Sequence, residues 1–196
     1  MVPNFTLARR EAVKALLANR KDLLVITGLG SASYDVFDAG ENPANFYLWG
    51  AMGGAAMVGL GLAQAQPKRP VAVITGDGEQ LMGIGSWLTI GAKQPGNLSI
   101  VILDNGHFGE TGMQVSHSGL GAQLDVIATG AGIRAVTEIT DLKGIADYRR
   151  TLQDIDSGPR LARIRITTGH VDRALPPRDG VFLKNRFREN LGFSVS

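Results

Sequence analysis

The run VAVITGDGEQLMGIG, residues 71–85, carries an apolar stretch straight into Gly-Asp-Gly. Glycines at a strand end are ordinary. Asp77 between them is not, because it puts a carboxylate at the mouth of a buried strand, just before a helical pattern. Asn105 stands 28 residues further on, in LSIVILDNGHFG (98–109), where a second apolar run ends in polar residues, Asp104 and Asn105. A carboxylate and a carboxamide at neighbouring strand ends are two hard oxygen ligands. They suit Mg²⁺, which often takes its remaining ligands from phosphates and water. Gly76 and Gly78 let a phosphate approach the backbone, and a helix starting near Glu79 aims free N–H groups and its positive dipole end at it. Each residue alone has a plainer use, since Asp caps helices and Asn makes turns. Together, at adjacent strand ends, they favour a diphosphate held by Mg²⁺ and a helix N-terminus.

Several elements must position such a site. Residues 6–19 read as a helix with Val13, Leu16 and Leu17 on one face. Residues 22–27 read as a buried strand ending in Gly28-Leu29-Gly30. Residues 52–65 read as a closely packed helix rich in Gly and Ala. Further apolar runs at 71–75, 99–103 and 161–166 are strands, with a weaker one near 133–136. Helical segments fall near 79–92, 123–130 and 142–153. Strands without apolar–polar alternation, separated by helices, predict a mainly parallel sheet covered on both faces, a three-layer α/β/α fold. Ligands bind such sheets at the carboxyl ends of strands where chain order switches. Gly28, Gly30, Asp77 and Asn105 all sit at carboxyl ends. The tail, 171–196, contains a Pro pair and is expected to wrap the surface.

The length of 196 residues fits one domain, expected over 1–196. Hydrophobic residues at 44% and charged residues at 19% match a globular protein. The absence of cysteine excludes a disulfide scaffold and a thiolate metal site, and agrees with a reducing cytoplasm. The N-terminal stretch MVPNFTLARREAVKALL lacks a signal-peptide core, and no apolar run reaches the roughly 18 residues of a membrane span. A cytoplasmic chain without a membrane partner is expected. The net charge is +2, but residues 160–188 hold eight Lys or Arg against two acids. That segment has no stacking aromatics beyond Phe182 and Phe187, so nucleic acid is not the expected partner. A nicotinamide-dinucleotide reading of VITGLGSAS is disfavoured because Ser33 occupies the third glycine position.

The Gly-Asp-Gly triplet, 25 residues, then DNGHFG, resembles the thiamine diphosphate-binding motif, in which Gly-Asp-Gly is usually followed by Asn-Asn. Asp104 replaces the first Asn. The resemblance implies that Asp77, the Asn105 side chain and the His107 backbone carbonyl bind Mg²⁺. LWGAMGGAAMVGLGLA, 48–63, is similar to the segment that grips the cofactor's aminopyrimidine. There Gly50 offers a carbonyl to the 4'-amino group and Met52 is the wedge that bends the cofactor. Gly28, Gly30, Gly76, Gly78, Glu79, Phe108 and Gly109 complete the implied cofactor set. RREAVKALL, GSASYDVFD, GDGEQLMGIGSWLTI and DNGHFGETGMQ follow, in order, the β subunits of sulfopyruvate decarboxylases and the C-terminal half of phosphonopyruvate decarboxylases. Position 79 departs from the pattern, being usually small. A Glu there is expected to point away from a diphosphate.

The resemblance implies a subunit of a 2-oxo acid decarboxylase that releases CO₂ and an aldehyde. The substrate would be a small anionic 2-oxo acid carrying a sulfonate or phosphonate, for which Arg178, Lys184, Arg186 and Arg188 are candidate partners. His107 and His117 are candidate proton donors, and His170 is read as structural. Thr111 and Gln114 lie on a loop able to close over the site, while Glu110 there is read equally as solvated. Family members need an activating Glu on a second domain type. Glu11, Glu41, Glu110, Glu138 and Glu189 lack its surrounding pattern, so a separately encoded α subunit is expected to supply it in a hetero-oligomer. The 48–63 segment is a candidate interface. Two alternatives stay open: a carboligating enzyme of acetolactate-synthase type, and a non-catalytic subunit.

Overall fold

A computed structural model describes residues 5–194, so the first four and last two residues of the expected 1–196 domain, and the start of the N-terminal stretch, lie outside the described residues. The chain runs through α1 (Arg9–Leu17), β1 (Leu24–Thr27), α2 (Ser31–Asp38), β2 (Asn45–Tyr47), α3 (Ala55–Ala65), β3 (Val71–Gly76), α4 (Asp77–Met82) and α5 (Ser86–Lys93). It continues through β4 (Leu98–Asp104), β5 (His107–Phe108), β6 (Gln114–Val115), α6 (Leu124–Gly130), β7 (Ala135–Ile139), α7 (Leu142–Thr151), β8 (Arg160–Arg165) and α8 (Gly180–Asn190).

Six strands form a parallel sheet in the order β2-β1-β3-β4-β8-β7. Every residue of β1, β4 and β8 is buried, as a sheet covered on both faces requires. One apolar layer joins α1, α2 and α7 to the sheet through residues such as Leu16, Val36 and Ile145. The other joins α3, α5 and α6 through Leu60, Trp87 and Ala128. The three-layer α/β/α architecture is therefore the one expected. Chain order reverses around β1, which has β2 on one side and β3 on the other. The crevice outside the carboxyl ends of β1 and β3 is thus a topological switch point.

Several expected elements differ in detail. The helix expected at 79–92 is two helices, broken at Gly83–Gly85. A methyl on Gly83 would sit 2.0 Å from the Gly53 carbonyl oxygen, so the backbone of the 50–54 turn packs where a regular helix would carry side chains. The strand near 133–136 is β7, a partly exposed edge strand. The surface-wrapping tail is extended to residue 179 and then forms α8, which packs on edge strand β2. Asp179 starts α8 by accepting the Val181 and Phe182 N–H groups at 2.9 and 3.1 Å. Among the described residues, no helix is long and apolar enough to cross a membrane.

Candidate functional site

A cavity of about 360 Å³ opens at the carboxyl ends of the central strands. Its lining includes Met52, Gly76, Asp77, Gly78, Glu79, Asn105, His107, Phe108 and Gly109, all named from sequence. The register pairs Gly76 with Leu103, so Asp77 and Asp104 leave their strands side by side. Gly28, Gly30 and Gly50 do not line the cavity, although Leu29 and Ser31, next to Gly28 and Gly30, do.

Asp77 begins α4 after Gly76, which caps the helix without a side-chain bond. The Asp77 carboxylate accepts a hydrogen bond from the Ser116 hydroxyl. It is 2% exposed, and among the described residues no basic side chain pairs with it. Burial, and then the neighbouring Asp104 carboxylate, push its carboxyl up to about 6. Asp104 is buried too, but Arg163 Nε and Arg165 donate to it at 2.6 and 2.5 Å, and the Ser118 hydroxyl adds a third bond at 2.6 Å. Of these adjacent carboxylates one is neutralised by protein and the other is not. A cation fits beside Asp77 and has no place beside Asp104.

Asn105 takes its plainer use as well. Its side-chain oxygen accepts the His107 N–H at 2.9 Å, closing a local turn. A carboxamide oxygen has two lone pairs, so one remains for a ligand. Among the described residues no group of three His, Cys, Asp or Glu could hold a metal. The available set is therefore one carboxylate, one carboxamide and backbone oxygen, which suits a hard cation completed by phosphate and water. A methyl on Gly76 would meet nothing within 4 Å, so its backbone lies open for an anion. Gly78 is covered instead: a methyl there would strike the Phe108 ring at 2.5 Å.

The two histidines named as proton donors separate. His107 lines the cavity, and its Nδ1 lies 2.8 Å from the Asn105 carbonyl oxygen. A carbonyl only accepts, so Nδ1 carries the proton and Nε2 is the free acceptor of the neutral ring. His117 is exposed and outside the lining. Its neighbours Ser116 and Ser118 turn inward to Asp77 and Asp104, which directs the residue between them outward. His170, read as structural, does line the cavity. Thr111 lines it too and is bonded to Gln114 at 2.9 Å.

Glu110 is not simply solvated. It pairs with Arg173 at 3.1 Å and accepts from the Ser31 hydroxyl at 3.3 Å. Arg178, Lys184, Arg186 and Arg188 do not line the cavity. Arg186 is held by Glu41 and by the Asn45 carbonyl, and Arg188 lies over Phe193. The lining cations are Arg9 and Arg173, which sequence reasoning missed. Arg9 is committed to Asp35 at 3.1 Å, whereas Arg173 is 60% exposed. Position after β8, the strand adjoining β4, is the signal that could have singled out Arg173.

Residues 28–157 match the family described as thiamine pyrophosphate enzyme, C-terminal TPP binding domain. The chain is 40% identical over 165 residues to phosphonopyruvate decarboxylase of Streptomyces viridochromogenes, covering 84% of this chain and 41% of that protein. It is 34% identical over 181 residues to sulfopyruvate decarboxylase subunit beta of Methanothermobacter thermautotrophicus, covering 92% of this chain and 94% of the relative. It thus spans less than half of the first relative and nearly all of the second. Benzoylformate decarboxylase from Polynucleobacter necessarius shares the fold, with a TM-score of 0.71 over 84% of this chain and 34% of that one, at 16% identity. The sheet order, the cavity at the switch point and the match over residues 28–157 agree, and the chain belongs to the thiamine pyrophosphate enzymes as their C-terminal, cofactor-binding domain.

Proposed function

We propose that residues 1–196, with 171–196 as a tail, act as one diphosphate- and Mg²⁺-binding subunit of a cytoplasmic 2-oxo acid decarboxylase. Its substrate class is a small 2-oxo acid with a second anionic group, as in sulfopyruvate and phosphonopyruvate. The observation that carries the reading is Asp77, a buried carboxylate without a basic partner, beside Asn105 at the switch point. It is supported by a relative named sulfopyruvate decarboxylase subunit beta, 94% of whose length this chain covers.

In this reading Asp77, the Asn105 side chain and the His107 carbonyl hold Mg²⁺. The open backbone at Gly76 and the N–H groups of Gly78 and Glu79 receive the diphosphate. Gly50 and Met52 face the aminopyrimidine and bend the cofactor, while Gly28, Gly30, Phe108 and Gly109 frame it. When bound, the cofactor supplies the electron sink for loss of CO₂. His107, which lines the cavity where His117 does not, exchanges protons through Nε2. Arg173 can exchange its Glu110 partner for the substrate's second anion.

A second chain, an α subunit carrying the activating Glu, completes the site. Apolar residues exposed on the 50–54 turn, α3, α4 and α5, namely Met52, Met57, Met82 and Leu88, give it a surface to cover. The test is to co-express this chain with the product of the neighbouring gene and measure CO₂ release from pyruvate, sulfopyruvate and phosphonopyruvate. Release should need both chains, Mg²⁺ and thiamine diphosphate. It should favour an anion-bearing substrate by about 100-fold in kcat/KM, the worth of a charge-assisted bond pair. Accumulation of a carboligated product from pyruvate, or turnover by this chain alone, would overturn the proposal.

A further inference from the structure

Glu79 stands where a carboxylate is least expected, next to a cavity suited to a diphosphate. It is 5% exposed, and its side chain turns away from Asp77 to reach three other elements. One carboxyl oxygen accepts the Gly53 N–H at 3.3 Å. The other bonds the Thr75 hydroxyl at the end of β3. The third neighbour is Gly28, just after β1. A methyl on Gly28 would lie 1.5 Å from Glu79 Oε2 and 2.8 Å from Thr75 Oγ1. The backbone at Gly28 is not in the left-handed region, so it is space and not conformation that calls for glycine there. The Glu79 carboxyl fills the room that a side chain at 28 would take.

The turn that Glu79 reaches is otherwise lightly held. Gly50, Ala51 and Met52 are exposed, and the Gly54 N–H bonds only within the turn, to Ala51. Gly53 is the contact point. It packs against the Gly83 backbone, where a methyl on Gly53 would come within 2.6 Å of the Gly83 nitrogen, and it donates to Glu79. Two backbones in van der Waals contact can slide; a directed hydrogen bond to a buried carboxyl fixes the register.

We infer that Glu79 is a positioning residue which, housed by Gly28, locks the Gly50–Gly53 turn in the place where it grips the cofactor's aminopyrimidine. Only its side chain does this, pointing to Gly53 and Thr75, while the backbone N–H that faces the diphosphate is left as it is in any residue at this position. This rests on the cofactor placement proposed above. It also accounts for two residues together: the Glu at a position usually small, and the Gly at 28 that lies outside the cavity lining.

The test compares two probes, each with Mg²⁺, on the chain assembled with its partner: thiamine diphosphate, which needs the turn, and inorganic pyrophosphate, which does not. Glu79→Ala should weaken thiamine diphosphate about tenfold, the loss of one hydrogen bond to a buried group, and leave pyrophosphate within about twofold. Glu79→Gln should restore near-native affinity, since its amide oxygen can accept from Gly53 while its NH₂ donates to Thr75. Gly28→Ala should evict the carboxyl and reproduce Glu79→Ala. Because both changes remove the same Glu79–Gly53 contact, Gly28→Ala/Glu79→Ala should bind no more weakly than Gly28→Ala alone. In the ligand-free protein, Trp49 next to the turn should shift its emission in Glu79→Ala and not in Glu79→Gln. If Glu79→Ala does not fold, Gly28→Ala carries the same comparison. Equal loss for both probes, no loss, an additive double variant, or Gln behaving like Ala would each overturn the inference. Wild-type protein that binds neither probe would overturn the cofactor placement itself, and this inference with it.

Discussion

Asp77 and Asp104 are one strand apart and differ in what surrounds them. Asp77 carries an uncompensated charge above the carboxyl's ordinary range, so Asp77→Asn should stabilise the ligand-free chain while keeping an acceptor for Ser116. The sign follows from linkage. A folded-state value of about 6 against an ordinary 3.8 means the folded chain holds the proton more tightly. The penalty is absent below about pH 4, grows between roughly pH 4 and 6, and is complete above. Asp77→Asn should therefore gain about 3 kcal/mol at pH 8 and only a small fraction of that at pH 4, read from urea unfolding. The same variant should lose Mg²⁺-dependent retention of thiamine diphosphate. Equal gains at both pH values would mean that charge is not the cause. At this scale the sequence exposed much of the site. Asp77 and Asn105 stood out as candidates because a polar residue ending a buried strand has no packing reason to be there, whereas His107 came only with the family resemblance. Arg173 did not stand out, because an Arg in an irregular tail looks like any solvated cation until the tail's path is known.

Strand ends have their own energetics. Asp104 closes β4, and its register partner Arg165, together with Arg163, comes from β8. Both arginines are nearly buried, at 8% and 5% side-chain exposure. Asp104→Asn would install the residue the motif usually carries, yet it removes the carboxylate that both arginines share. It should cost about 3–5 kcal/mol, the penalty of leaving buried charge uncompensated. A denaturation midpoint within error of wild type would refute the clamp. The elements themselves were unequally readable. β1, β3, β4 and β8 stood out because double burial makes their apolar runs continuous. Strand β2 and helix α2 were missed: three residues are too few for a pattern, and α2 hides behind a glycine turn that drew attention to itself. Helix α8 has signals in Asp179 after the Pro pair and in Leu183 and Phe187 spaced four apart, but the Pro pair drew the reading to a surface-wrapping tail. The break between α4 and α5 was invisible locally, because its cause is a backbone 30 residues away at Gly53.

For the molecule as a whole, exposed apolar side chains include Met52 in the cavity lining and Met57, Met82 and Leu88 on α3, α4 and α5. Leu88 is 65% exposed on α5 and belongs to neither apolar layer. Leu88→Glu should leave the melting temperature of this chain within about 2 °C, as surface changes do, while weakening assembly with the partner chain at least about tenfold. Light scattering of the mixed chains would decide it, and undiminished assembly would move the interface elsewhere. Helix α8 bears on the chain in another way. Leu183 enters the layer of α1, α2 and α7, and Phe187, one turn on, enters the layer of α3, α5 and α6. A single strut thus braces both sides of the sheet at its β2 margin. Disorder beginning in either layer is transmitted to the other through that strut, so the chain melts as one cooperative unit instead of shedding its faces in turn.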